Sequence, residues 1–559
     1  MARESLSRRD LLKGALALGG GGLLVATAGG EVFASASSSQ LSSKNMPTPY
    51  TNMFRRPPVL MPVEEGVDEQ GPFQKYRLTQ KLGQASIVPG LTTTVAGYNG
   101  IFPGPTIRVE QGTRTEVRIT NALSNVNTLN GRPFSTVTHL HGSASLPQYD
   151  GYANDQTKPG QVKTYKYPNW QQGRTLWYHD HNHGDTAENV YSGLAAQYHL
   201  KDPYETAQLP QGEFDVPLVV SDIAFRADGS IAFWPDGNAG FMGDIIMVNG
   251  VPWPKMKVKP RVYRFRVLAA SISRSFRYAL STGDPIYIVG TDAGMTPKVA
   301  AVSSFRQGGA ERYEILIDFR KYKVGTKIEL KNLSNKNNVD FSNTGKVMQF
   351  EVVADSGPAD TYQIPTTLDL GPQPYANRGA VEVNKLTPDM ATARRRLRVE
   401  RKNSVWTVNG ETWADVEHSE FKRVLGNPKP YDVEIWDLVN ESGGWFHSFH
   451  IHLIDAQIIG RNTTSDGKAH PWEGGGKDVF YLGENETVTA LMQFSTGDGN
   501  EGGRYMTHCH NLVHEDSDMM IQFAVGDLET NNPITMDPPR AETEPELPVT
   551  YAPSYPLGT

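Results

Sequence analysis

Apolar and polar residues alternate with a period of two in short runs along this chain, and three such runs sit in the same setting. Ala96-Gly97-Tyr98-Asn99-Gly100 precedes Thr106-Ile107-Arg108-Val109 and then Thr115-Glu116-Val117-Arg118-Ile119-Thr120-Asn121. Ile246-Met247-Val248-Asn249-Gly250 precedes Met256-Lys257-Val258 and Val262-Tyr263-Arg264-Phe265-Arg266-Val267-Leu268. Val405-Trp406-Thr407-Val408-Asn409-Gly410 precedes, after a longer loop, Asp432-Val433-Glu434-Ile435-Trp436-Asp437-Leu438-Val439-Asn440. A period of two marks a strand with one buried face. Asn-Gly marks a tight turn, because both residues tolerate positive φ. The Asn-Gly pairs lie 150 and 160 residues apart. That spacing predicts an all-β chain of three copies of one domain, each a two-sheet Greek-key sandwich or barrel. The predicted division is an arm over 37–68 and domains over 69–205, 206–375 and 376–559. The second boundary is drawn out over a Pro- and Arg-rich connection running from Gln373-Pro374 to Arg394-Arg395-Arg396.

Composition agrees with this division. A chain of 559 residues has room for three or four domains, at roughly 100–200 residues each. With 38% hydrophobic and 21% charged residues it can bury several cores. Its 54 glycines and 37 prolines favour strands and loops over helices. A net charge of -7 and a pI near 6.1 argue against a nucleic-acid partner, which needs a basic patch.

The N-terminus reads as an export signal. Ser7-Arg8-Arg9-Asp10-Leu11-Leu12-Lys13 carries a twin arginine, a Gly/Ala/Leu stretch runs from Gly14 to about Ala28, and Ala34-Ser35-Ala36 offers a cleavage site. The pattern resembles a twin-arginine signal peptide over residues 1–36. The expectation is a periplasmic or secreted protein beginning near Ser37, with no stable membrane insertion. A single cysteine, Cys509, excludes an intramolecular disulfide.

The chemistry is concentrated in four short clusters. Ten of the 14 histidines fall in His139-Leu140-His141, His179-Asp180-His181, the run His447–His452, and His508-Cys509-His510 with His514. Residues two apart on a strand share a face, so each His-X-His aims two imidazoles one way. Four such pairs supply eight imidazoles, too many for one ion, and suit a cluster of metals that imidazole favours: copper, iron or zinc. Cys509 faces away from His508 and His510 and ligates a different ion. His447, Cys509 and His514, with Met519 as a long axial thioether, form the blue-copper electron-transfer set.

With these motifs the chain resembles the three-domain multicopper oxidases over about residues 70–530. Trp177-Tyr178-His179-Asp180-His181, Asp150-Gly151 and His508-Cys509-His510-Asn511-Leu512-Val513-His514-Glu515-Asp516 carry a match to the subgroup of bilirubin oxidase, bacterial spore-coat laccase and phenoxazinone synthase. The resemblance implies three consecutive cupredoxin domains and about four copper ions. It implies type 2 ligands at His139 and His450. Type 3 ligands fall at His141, His179, His181, His452, His508 and His510. The type 1 site falls at His447, Cys509, His514 and Met519. Ser448 stands where the family has proline, which touches local loop rigidity only. Trp445, two residues before His447, matches a tryptophan near the type 1 site, or is simply a buried aromatic. His183 is left spare.

The implied reaction takes one electron at a time from a small-molecule reductant and reduces O₂ to water. Cys509 is the electron conduit by connectivity. Carboxylates must deliver four protons by general acid catalysis, and Glu515 and Asp150 are the candidates. The expected reductant is phenolic, aminophenolic or tetrapyrrolic, as for a laccase or bilirubin oxidase. The alternative is a metal oxidase acting on Mn(II) or Cu(I), although the 15 methionines form no dense tract of the kind cuprous oxidases carry. A cupredoxin that binds copper without catalysis would have lost cluster histidines, and none is lost.

Overall fold

The computed structural model describes residues 23–26, 32–127, 129–235, 239–495, 497 and 502–553. Three two-sheet β-sandwiches follow one another along the chain. The first joins a six-stranded sheet built on Gly71–Ala85 and Arg114–Asn121 to a four-stranded sheet of Ile107–Glu110, Ala195–Lys201, Arg174–Asp180 and Thr138–His141. The second has seven- and five-stranded sheets. The third joins a five-stranded sheet built on Ala393–Lys402 and Val433–Asn440 to a four-stranded sheet of Val479–Leu482, His447–Ile451, Gly503–Cys509 and Met520–Val525.

The repeat seen in sequence is a structural repeat. Each sandwich repeats the same parallel strand pair: Gly71–Ala85 with Arg114–Asn121, Asp215–Ile223 with Val262–Ala269, and Ala393–Lys402 with Val433–Asn440. All three Asn-Gly turns are left-handed at both positions, with φ of 58° and 70°, 51° and 73°, and 55° and 81°. That is the geometry of a type I′ turn, which Asn-Gly adopts at low cost. Arg114–Asn121 alternates between half-buried and buried positions along its whole length, as a strand with one solvated face should.

The strands bearing histidines do not alternate. Thr138–His141, Arg174–Asp180, His447–Ile451 and Gly503–Cys509 are buried at every position. One face packs on its own sandwich and the other on a neighbouring sandwich, so neither reaches water.

The Arg-rich run is not a connection. Arg394, Arg395 and Arg396 lie in the strand Ala393–Lys402 and pair with Asp437, Glu434 and Glu441, at 2.6, 2.7 and 2.6 Å. Acidic side chains on or beside the adjacent parallel strand offset the charge that made the run look like a linker.

Segments towards both ends of the described residues join sheets elsewhere. Val32–Ser37 pairs with Leu23–Ala26 and, in parallel, with Phe241–Gly243. Of the expected signal segment, 1–22 with the twin arginine and 27–31 lie outside the described residues, while the rest falls in these two strands. Glu64–Asp68, in the expected arm, adds a strand to the first sandwich. The tail leaves the third sandwich, and Arg540–Ala541 pairs with Gln161–Tyr167 of the first. Ion pairs Arg118–Glu542, Arg77–Glu544 and Lys81–Glu546 continue that contact. Among the described residues no helix is long and apolar enough to cross a membrane.

Candidate metal centre

Strand register places the histidines. In the first sandwich His139 lies opposite His179, and His141 opposite Trp177. In the third, His450 lies opposite His508, and Phe449 opposite Cys509. Alternation then sends His450, His452, His508 and His510 to one face of the sheet and His447 and Cys509 to the other.

The second face carries a compact three-ligand group. Cys509 Sγ is 3.3 Å from His447 Nδ1 and 3.6 Å from His514 Nδ1, and the two Nδ1 atoms are 3.3 Å apart. The remote nitrogens are engaged: His447 Nε2 lies 2.8 Å from Ser442 Oγ, and His514 Nε2 lies 3.1 Å from the Asn511 side-chain amide. The Asn511 backbone N–H donates to Cys509 Sγ at 3.3 Å. His514 rides on the short helix Leu512–Glu515. Met519 closes the loop: its carbonyl accepts from Cys509 N–H and its N–H donates to the His514 carbonyl, both at 3.1 Å. Cys509 and Met519 are fully buried in one apolar cluster with Trp406, Trp445 and Phe449. Burial pushes the Cys509 thiol up and holds His447 down to about 3. A buried thiol becomes a thiolate when a cation is present to receive it.

On the first face eight imidazoles from two sandwiches converge. The Nε2 atoms of His181 and His452 lie 3.0 and 3.1 Å from His508 Nε2. His141 Nδ1 lies 3.4 Å from His179 Nε2, with His510 completing a second group. His139 and His450 make a third group with His141. His139 Nε2, His450 Nε2 and both nitrogens of His510 are buried without a hydrogen-bond partner. Burial is the largest influence on every one of these rings whose shift is resolved, with neighbouring histidines adding to it, and holds them neutral. Neutral imidazoles with inward lone pairs and no partner are what metal ions require. The chemistry of both donor sets fits copper.

Carbonyls and carboxylates hold the outward nitrogens, an arrangement that fixes ring orientation at metal sites. His139 Nδ1–H donates to the Asp150 carbonyl. His450 Nδ1–H donates to the Asp478 carbonyl at 2.8 Å, and His179 Nδ1–H to the Asp180 carbonyl at 2.7 Å. His452 Nδ1 is 2.7 Å from Asp150 Oδ2. Glu515 lies between two ligands, 2.9 Å from His508 Nδ1 and 3.5 Å from His181 Nδ1. The two carboxylates are pushed apart: burial raises Asp150 well above its ordinary range, whereas for Glu515 burial is outweighed by the nearby His508 and His181 rings and by hydrogen bonds from His508 and Thr186, which together lower it. Gly151 is required beside Asp150. Its φ is +84°, and a Cβ there would meet His139 Cα at 2.6 Å.

All twelve predicted ligands are buried, and the structure gathers their histidines and the cysteine into these groups. Ser448 lies inside a strand and not in a loop, so the proline departure bears on strand pairing. His183 belongs to no metal group and sits 3.3 Å from Asp518. Trp445 is buried with its ring 5.5 Å from His514. Sequence reasoning missed Trp406, whose ring lies 4.1 Å from His514. It also missed Ser442, Asn511 and Asp478. Trp406 reads as one more apolar residue of its strand, and the others are common polar residues in loops or at a strand edge.

Residues 80–204 match one family model described as multicopper oxidase, and residues 386–529 match a second with the same description. A bilirubin oxidase of Albifimbria verrucaria is 39% identical over 481 residues, spanning 83% of this chain and 77% of that protein. A laccase of Bacillus subtilis (strain 168) is 32% identical over 478 residues, spanning 77% of this chain and 89% of that protein. The McoA multicopper oxidase from the hyperthermophile Aquifex aeolicus is similar in structure, with a TM-score of 0.71 and 28% identity, covering 85% of this chain and all of that one.

Proposed function

Because the chain belongs to the multicopper oxidase family, we propose that it is an exported laccase- or bilirubin-oxidase-like enzyme that removes single electrons from a phenolic, aminophenolic or tetrapyrrole reductant and returns four of them, with four protons, to O₂, giving two waters. The observation that carries this reading is the division of ligands across one strand: Cys509 faces the His447–His514 site while His508 and His510 face the eight-histidine cage. The relatives named bilirubin oxidase and laccase support the reductant class. The twin arginine of the N-terminus supports export.

Copper, when bound, supplies the one-electron redox chemistry, and the protein supplies position, electrostatics and protons. His447, Cys509 and His514, with Met519 buried in the same cluster as Cys509, would hold a type 1 ion. His139 and His450 would hold a type 2 ion. The remaining six histidines, in two groups of three, would hold a type 3 pair. The peptide units joining Cys509 to His508 and His510 give a covalent path between the two sites. Glu515, on His508 and His181, is placed to hold and release protons at the cage. Asp150, on His452 and His139, is the second such group.

Copper analysis of the full chain, with visible and EPR spectra and O₂ uptake against a reductant panel that includes bilirubin, phenols, Mn(II) and Cu(I), tests the reading. About four coppers, a blue site and O₂ consumption with an organic reductant are expected. A colourless protein holding fewer than about three coppers rejects it, and uptake with the metal ions alone moves the reductant to the inorganic class.

A further inference from the structure

The middle sandwich supplies no histidine to the cage, yet one of its side chains reaches it. Arg312 begins the strand Arg312–Asp318 and is fully buried. Its guanidinium spends all of its donors within the protein. Nε–H donates to the Thr175 carbonyl at 3.1 Å, on the strand of the first sandwich that carries His179. One terminal nitrogen donates to Asp478 Oδ1 at 2.7 Å and to the Ala310 carbonyl at 3.2 Å. The other donates to Asp478 Oδ2 at 2.5 Å and to the Asp292 carbonyl at 3.2 Å. A single side chain thereby ties three sandwiches together.

Asp478 is the recipient of a two-pronged grip, the geometry in which Arg and carboxylate fix each other's orientation. It is buried, and it touches two cage histidines from different sandwiches. Its carbonyl accepts from His450 Nδ1–H, and its Oδ1 lies 3.1 Å from His141 Nε2. The two rings stack at 3.7 Å, nearly parallel at 18°.

His141 is the odd member of the cage. His452, His181 and His508 meet one another through Nε2, and His139, His450 and His179 have Nδ1 committed to carbonyls. These six turn Nε2 inward. His141 alone among the seven has Nε2 committed to a carboxylate and Nδ1 3.4 Å from its neighbour His179. It also belongs to two of the three all-histidine groups, so its orientation affects both.

We infer that Arg312 is a positioning residue for the copper cluster: it grips the Asp478 carboxylate, which fixes His141 with Nδ1 turned to the metal and holds His450 beside it. The middle sandwich thus contributes to metal binding without a ligand. Arg312 has this role only if the histidine pairs hold copper as proposed above.

Two variants of the full chain test it. Arg312→Lys keeps the charge and loses the fork. The double variant Arg312→Met with Asp478→Leu removes both charges together, so no buried charge is left unpaired and folding is protected. Each is loaded with copper and measured for copper per chain, blue absorption and EPR. The expected result is blue absorption per chain like the wild type, with cluster copper bound about 10–100-fold more weakly and an altered type 2 EPR signal. Wild-type copper content and EPR in both variants overturns the inference. So does a proportionate loss of blue absorption and cluster copper, which marks a staple of the fold only. If the wild type itself shows no type 2 signal and holds about one copper, the copper reading has failed and takes this inference with it.

Discussion

His450 and His508 face each other across antiparallel strands, and the next residue, Cys509, faces Phe449 on the opposite side of the same sheet. One residue of register therefore separates the cage from the sulfur site. A one-residue slip would exchange the two faces.

Cys509→Ser is expected to abolish blue colour and oxidase activity while most cage copper stays bound. The thiolate is lost, but the eight imidazoles and their outer partners are untouched. Visible spectra, copper analysis and O₂ uptake check this, and wild-type turnover in the variant would contradict the wiring.

Met519→Leu is expected to raise the reduction potential of the blue site and preserve its colour. A weak thioether donor is removed, which favours Cu(I), and the apolar replacement suits the buried cluster around it. A redox titration that shows no change or a fall rejects Met519 as the axial ligand.

Glu515→Gln keeps shape beside His508 and His181 but cannot carry a proton. Reoxidation by O₂ is expected to slow by about 10²–10⁴-fold, with anaerobic reduction of the blue site nearly unchanged. Stopped-flow measurement of the two half-reactions separates them. Unaltered reoxidation would move the proton route to Asp150.

Gly151→Ala is expected to damage the His139 position. The left-handed backbone costs the alanine about 1–3 kcal/mol, and its methyl group meets His139 Cα at 2.6 Å. Denaturant unfolding should show the loss, and the type 2 EPR signal should weaken before the blue absorption does. Wild-type stability and EPR would refute this account of the Asp-Gly pair.

Much of this was legible in the sequence because it is periodic or chemically distinctive. The Asn-Gly turns at 99, 249 and 409 announced the repeat, and His-X-His on strands announced the cage. Arg394-Arg395-Arg396 misled because a charge run resembles a linker until its partners Asp437, Glu434 and Glu441 are seen across the sheet. Arg312 and Asp478 left no mark at all, and Trp406 marked only a strand of the repeat. Their roles depend on contacts between residues more than 100 positions apart, and neither period nor residue type encodes such contacts.

The tail that crosses from the third sandwich to the first has a thermodynamic meaning for the cage. The histidines of the first and third sandwiches are two halves of one chelator, and Arg540–Ala541 with its trailing ion pairs joins those halves by a second strap besides the main chain. A chelator tethered at two points meets its other half at a higher effective concentration than one tethered once. Cutting the chain ahead of residue 540 would leave every ligand in place and still loosen the grip on metal, as opening one arm of a ring loosens what it encloses.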